Sequence, residues 1–376
     1  MMSMSKPVLG GRDRVRVAVA QVSPVFLDLD RSLERAIATI AEAGAQRADL
    51  VVFPEAWLAG YPYWTEGWDT SLPDWAGARI RFRDAAVVVG SDVTERLAQA
   101  ARTHGVNLVM GCNELDDEAG VSTIYNTLLY FDRAGTYLGR HRKLMPTFTE
   151  RMFWGYGRAE DLRAFDTDVG RIGGLICGEH LMPLVRASMM ALGEDIHVAA
   201  FPGSFSLHEG PRLEEPDRAG NFWGHASVRN HAFEAGCVTV SACAYVDPAD
   251  VPDDFPFAGR MNIDYAHGGS SVIGPLGVPL VEPVFGSQIV YADCEAWMIK
   301  AVKAIVDTAG HYSRRDVVRL QVRTDEGWRT WPPAEDRQRT SEAALRREAS
   351  LRRAAEDHEV DTDAVVDLAE GLRTAG

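Results

Sequence analysis

A strand, a helix and a second strand follow one another within about forty residues near the start of the chain, and this arrangement restricts the fold most. Val15-Arg16-Val17-Ala18-Val19-Ala20-Gln21-Val22 alternates at first and then turns mostly apolar, the pattern of a largely buried strand. Asp28 to Ala45 carries Leu33, Ile37, Ile40 and Ala41 at helical spacing. Ala48-Asp49-Leu50-Val51-Val52-Phe53 then reads as a second buried strand, stopped by Pro54 before Glu55. Two strands joined by a helical crossover pair in parallel, and a parallel sheet needs cover on both faces. The expected class is therefore α/β.

The rhythm recurs along the chain. Ser91 to His104 is helical in pattern and Val106 to Gly111 is its strand. Ser122 to Phe131 and Gly135 to Arg142 flank Asp132-Arg133-Ala134-Gly135 as a hairpin. Arg171-Ile172-Gly173-Gly174-Leu175-Ile176 leads to Cys177, a helix is expected over Pro183 to Leu192, and Ile196 to Phe201 and Val238 to Ser241 read as further strands. Gly269 to Ile273 with the turn Pro275-Leu276-Gly277 gives another hairpin. No linker interrupts this pattern, so residues 13–324 form one expected domain. Residues 325–376 form a charged extension, with a helix expected over Ser341 to Glu356 and an acidic, partly disordered tail.

Charge and cysteine usage narrow the function. A formal net charge of -15 speaks against nucleic acid or an anionic membrane as partner. No run of roughly 18 uncharged apolar residues is present to span a bilayer. The five cysteines are odd in number, none pairs as CxxC, and no histidine stands at metal-ligand spacing beside them. The expectation is a cytoplasmic protein without a disulfide framework or a structural zinc site.

Three residues stand at the ends of apolar runs: Glu55, Lys143 and Cys177. Together they would supply a base, a fixed cation that lowers the thiol's pKa, and a nucleophile. Taken singly, each has an ordinary explanation. Glu55 could cap a helix, Lys143 could close the solvated run His141-Arg142-Lys143, and Glu150-Arg151 could be a surface ion pair. Cys177 could be a small buried hydrophobe, and local context does not separate it from Cys112 in Gly111-Cys112-Asn113-Glu114. Tyr61, Tyr63, Trp64 and Trp154 could wall a pocket or fill the core.

In order, the segments VVFPEAWLAGYP, HRKLMPTFTERMFWGYG and GGLICGEHLMPLVR make the chain resemble the nitrilase superfamily of carbon-nitrogen hydrolases, and its nitrilase branch. The likeness runs from about Val15 to Arg323 and includes Gly268 to Gly277 and Gly310 to Asp316. It selects Cys177 over Cys112. It implies a four-layer αββα sandwich, Cys177 as nucleophile, Glu55 as general base, Lys143 as stabilising cation, and Glu150 as the glutamate that holds the lysine. It also implies a small nitrile and water as substrates, release of an acid and ammonia, no cofactor, and a homodimer or larger spiral homo-oligomer. An amidase or a cyanide-converting relative would use the same residues. Two positions depart from the family pattern: Gly178 stands where a tryptophan is usual, and Arg315 where a proline is usual. Gly178 is expected to open space beside Cys177, with Tyr61 and Trp154 on the substrate's other side.

Overall fold

The structure, a computed structural model, describes residues 7–64, 71–116, 121–204 and 223–322. The chain divides into two units, Met1–Val322 and Arg323–Gly376. The second unit, with the expected helix and acidic tail, lies outside the described residues.

The opening βαβ unit forms as its periodicity requires. β1 (Arg14–Gln21) pairs in parallel with β2 (Leu50–Val52), Val17 opposite Leu50, and α1 (Leu29–Ala45) crosses between them. The Asp28 carboxylate accepts the Arg31 N–H at 2.9 Å and so satisfies one of the free donors at the start of α1. β3 (Asn107–Leu115) continues the sheet in parallel, while β4 (Ile124–Phe131) and β5 (Tyr137–Arg142) follow as the antiparallel meander that the hairpin turn predicts. β12 (Gln288–Glu295) closes the other edge against β1, giving the order β12-β1-β2-β3-β4-β5. β6 (Ala164–Thr167), β7 (Gly170–Ile176), β8 (Ile196–Phe201), β9 (Val238–Cys243), β10 (Gly268–Ile273) and β11 (Pro279–Phe285) form the second sheet, ordered β11-β10-β9-β8-β7-β6.

Side-chain alternation builds the layers. Val17, Val19, Leu50, Val52, Val109, Leu128 and Tyr130 from the first sheet meet Ile172, Ile176, Ile196, Val198, Val238 and Val240 from the second in one buried cluster. The intervening residues Ala18, Ala20, Val51, Phe53, Leu108 and Met110 point the other way, onto Leu33 and Ile40 of α1 and Leu97 of α3 (Asp92–His104). On the far side, α4 (Pro183–Leu192) packs Val185 and Met189 against Leu175 of β7, and α5 (Trp223–Ala235) contributes Val228 and Ala232 to the core. Strands apolar on both faces are thus strands covered on both faces, and the αββα sandwich is established.

Several local expectations change. Cys112 lies inside β3, opposite Thr127, rather than beyond the strand's end. α2 (Leu72–Asp84), β6, β12 and α6 (Ala296–Ile305) were not indicated by the sequence pattern.

Candidate active site

β2, β3 and β5 run in one direction, so their carboxyl ends share a rim, and β7 of the facing sheet ends at the same place. Glu55 follows β2, Lys143 follows β5 and Cys177 follows β7. A glycine makes the first of these turns possible. A Cβ at Gly111 would run into the Pro54 carbonyl, so only glycine lets the chain leaving β2 lie against β3, where Leu58 N–H donates to Gly111 O at 2.9 Å.

The expected residues converge. Lys143 Nζ donates to Glu55 Oε1 at 2.8 Å and to Glu150 Oε2 at 2.7 Å, with all three side chains buried. Glu150 also accepts Thr147 N–H at 2.7 Å and the Tyr61 hydroxyl at 2.9 Å. One side-chain atom each of Glu55, Glu150 and Cys177 lie within 4.8 Å of one another. Cys177 has φ 49°, a left-handed conformation for a residue with a Cβ, and Ala56 (φ 47°), next to Glu55, and Phe148 (φ 49°), two residues before Glu150, show the same. Backbone strain of this kind concentrates where side chains must be aimed.

Charge balance decides the protonation of each group. Burial lifts the Glu55 carboxyl from 4.5 to about 7 although Lys143 pulls it down. Asn126 Nδ2 donates to Glu55 Oε1 at 2.6 Å, while Glu55 Oε2 is buried with no partner, a lone pair held ready for a proton. Burial would lower Lys143, but Glu150 and Glu55 hold it well above 10.5, so it stays an ammonium. Burial pushes the Cys177 thiol well above 9.0; Lys143 and the Gly178 N–H oppose this without winning. Lys143 thus lowers the thiol as expected, but burial outweighs it: the resting group is a neutral thiol, and its proton needs the adjacent base.

Sequence reasoning missed the residues that hold this arrangement from behind. Glu179 accepts Ile176 N–H at 2.7 Å, Leu144 N–H at 2.8 Å and His141 Nε2–H at 2.8 Å, tying the cysteine turn to the lysine loop. His141 donates its other N–H to Asp161 O at 2.9 Å. Burial would raise Glu179, yet His141 and the backbone donors hold it below the ordinary carboxylate value. The sequence does not single them out: His141 stands in the basic run Arg140 to Lys143, and Glu179 stands beside His180 just past the end of the apolar strand.

The aromatic residues separate into two groups. Tyr61 bonds Glu150 and packs on Trp154, whose Nε1 donates to Asn113 Oδ1 at 2.9 Å. Trp64 sits among Phe26, Phe82, Phe153 and Phe255 and is core, and Tyr63 bonds Pro202 O at 2.7 Å. The space expected at Gly178 is not open, because a Cβ there would stand 2.6 Å from Thr147 Oγ1.

Among the described residues, two groups of side chains have metal-ligating types: Glu55, Glu150 and Cys177, and Glu194, His197 and His231. The first encloses the Lys143 ammonium, which repels a cation. The second is joined by its own hydrogen bonds.

Comparison with known proteins agrees with this geometry. A family model described as carbon-nitrogen hydrolase matches residues 16–304. The chain is 36% identical over 321 residues to nitrilase 2 of an unknown prokaryotic organism, covering 85% of this chain and 95% of that protein. It is 35% identical over 327 residues to an aliphatic nitrilase of Rhodococcus rhodochrous, covering 85% of this chain and 82% of the relative. Among solved structures, Nit3 of Saccharomyces cerevisiae, titled a member of branch 10 of the nitrilase superfamily, superposes with TM-score 0.62 at 21% identity, over 81% of this chain and 97% of that one. An amidase from Nesterenkonia sp. gives TM-score 0.54 at 17% identity, over 80% and 95%, so it too shares the fold.

Proposed function

The chain belongs to the carbon-nitrogen hydrolase family, and from that premise we propose that it is a nitrilase, converting an organic nitrile and water to the carboxylic acid and ammonia. The supporting observation is the buried convergence of Glu55, Lys143 and Glu150 on Cys177. Glu55, with its free Oε2, takes the thiol proton as sulfur attacks the nitrile carbon. The negative charge that develops on nitrogen lies beside the Lys143 ammonium, which stabilises it without giving up its proton. The proton held by Glu55 passes to that nitrogen and completes a thioimidate. Glu55, again a carboxylate, activates water to add to the thioimidate carbon, ammonia leaves, and a thioester remains. A second water releases the acid and restores the thiol. Glu150 holds Lys143 and Tyr61 in register. Tyr61 and Trp154 form the aromatic side of the substrate space, with Gly178 and Thr147 on the cysteine's flank.

Residues 13–324 are the hydrolase domain and 325–376 an appendage to it. No helix among the described residues is long and apolar enough to cross a membrane, and the reading extends to a cytoplasmic homo-oligomer. Exposed Leu184 (71%) and Phe233 (60%) support subunit association.

Product analysis with a matched nitrile and amide tests the reading. Acid and ammonia from the nitrile, with the amide inert, are expected, and Cys177→Ala is expected to release no ammonia while keeping its circular dichroism and assembly. Near-normal turnover by Cys177→Ala, or hydrolysis of the amide alone, would overturn it.

A further inference from the structure

Behind Cys177 lies a second set of buried titratable side chains that the proposed reaction does not use. His180 follows in the short helical turn Cys177–Leu181, and its Nδ1 is 3.0 Å from the Cys177 carbonyl oxygen. Its Nε2 is 3.0 Å from Nε2 of His197 on β8. His197 Nδ1 lies 2.9 Å from Glu194 Oε1, and His231 Nε2 of α5 lies 3.3 Å from Glu194 Oε2. All four side chains are buried.

Counting protons orients this chain. A carbonyl only accepts, so His180 Nδ1 donates to Cys177 O. Burial, reinforced by His197 and His231, holds His180 well below the ordinary histidine value, so its Nε2 presents a lone pair. His197 must donate into that lone pair. Burial would raise Glu194, but His197 and His231 bring it down to about 2, so it is a carboxylate and accepts the other N–H of His197. His197 therefore donates from both ring nitrogens, to His180 on one side and to the Glu194 carboxylate on the other. His231, lowered to about 4, donates Nε2–H to Glu194 and leaves its Nδ1 lone pair without a hydrogen-bond partner among the described residues.

The fold makes room for this arrangement directly beneath the nucleophile. A Cβ at Gly173 would run into Glu194 Oε1, so the glycine of β7 admits the carboxylate. The chain then ends on a carbonyl whose own residue is held at φ 49°. A left-handed cysteine persists only when its surroundings over-determine it. We propose that Glu194, His197 and His180 form a positioning relay, a charge-backed hydrogen-bond chain that pins the Cys177 carbonyl and so aims the thiol at Glu55 and Lys143. The inference rests on Cys177 being the nucleophile. None of the three residues touches substrate; they act through the backbone of the one that does.

Two substitutions at His180 separate pinning from packing. His180→Asn keeps a donor near the position of Nδ1, whereas His180→Phe keeps a ring to stack on Phe201, 5.4 Å away, without any donor. In the full chain, kcat is expected to fall about 30-fold or more in His180→Phe, with KM within about threefold, because small misplacements of a reacting group cost rates of this order. His180→Asn should stay within about fivefold of the parent kcat. The rate of Cys177 alkylation by iodoacetamide, which needs no nitrile, should follow the same order. Parent-like rates in His180→Phe, or an equal loss in both variants, would overturn the relay. If His180→Phe does not fold, Glu194→Gln decides: loss of the charge behind His197 should lower both rates about fivefold at unchanged KM, and unchanged rates would overturn the relay. Should the parent protein hydrolyse no nitrile while the alkylation order holds, the nitrilase reading fails and the relay stands.

Discussion

Glu55 stands in front of Cys177 and Glu179 behind it, both fully buried, and their carboxylates are driven in opposite directions. Glu179 accepts three hydrogen bonds, one from a histidine with protons on both nitrogens, and is held in the charged form. Glu55 accepts two, both at the same oxygen, and its other oxygen has no hydrogen-bond partner among the described residues. Burial is equal in the two cases, so it does not decide the outcome; the number and placement of donors do. The satisfied carboxylate gives rigidity, and the half-satisfied one can accept a proton near pH 7. The surface of the cysteine turn facing substrate is electrostatically incomplete, while the surface facing the core is complete.

The largest effect expected from this contrast is on rate. Glu55→Gln keeps the shape and an acceptor for Lys143 but removes the base, and kcat/KM should fall by about 10²–10⁴-fold. Glu179→Gln should instead lower the free energy of unfolding by about 3 kcal/mol, because it leaves a buried imidazolium at His141 without its counter-charge. Denaturant titration of both variants tests the division of roles. A stability loss larger in Glu55→Gln than in Glu179→Gln would break it.

Acidity sharpens the same comparison. Glu55 must be ionised to act, so kcat/KM of the free enzyme should decline on the acid side with a midpoint at about 7. The Asn126 hydrogen bond lowers Glu55, so Asn126→Ala should move that midpoint to higher pH. Stability responds with the opposite sign at the two residues. Folding raises Glu55, so its contribution is complete below 4.5 and is lost as pH rises through about 7. Folding lowers Glu179, so its contribution is present above 4.5 and is lost as pH falls through its folded value. The unfolding free energy of Glu55→Gln relative to the parent should therefore rise between pH 4.5 and 8. A flat difference would mean that Glu55 is not held in a raised state.

The incomplete side of the site was easier to read from sequence than the complete side. Glu55, Lys143 and Cys177 each end an apolar run, and a chain that must leave a buried strand marks the place. Their ordered spacing with Glu150 did the rest. His141, Glu179 and His180 carry no such mark, because their partners are brought together over 17 to 38 residues of sequence by the pairing of β7 with β8 and by the stacking of the two sheets. The larger influence on the thiol was hidden for the same reason: Lys143, which does lower it, is visible as a nearby charge, but complete enclosure of the sulfur is a property of two stacked sheets. Elements followed the same logic. α1 and β1 announce themselves by alternation, whereas α2 buries only Ala78 and Phe82 and so has little apolar pattern to show. β12 is half exposed and owes its place to pairing with β1 from the opposite end of the domain.

The smallest expected effect concerns the two glycines that bracket the nucleophile. At Gly178 an added Cβ meets the end of a side chain, Thr147 Oγ1 at 2.6 Å, and the next atoms of that residue are 3.6 Å away. At Gly173 it meets Glu194, whose carboxylate is fixed by two histidines, and Met189 Cε at 2.8 Å. A threonine hydroxyl can turn away, whereas a buried, bonded carboxylate has nowhere to go. Gly173→Ala should therefore cost about 1–3 kcal/mol of stability through overpacking. Gly178→Ala should leave the melting temperature nearly unchanged and reduce kcat/KM only about threefold, through the displaced Thr147 hydroxyl against the cysteine turn. Adding Thr147→Ala to Gly178→Ala removes the obstructing atom and should return kcat/KM to the value of Thr147→Ala alone. If the double variant is no better than Gly178→Ala, the added methyl acts on the backbone of the cysteine turn itself. The front of the site would then be as tightly packed as the back, and the contrast between its two sides would be one of charge alone.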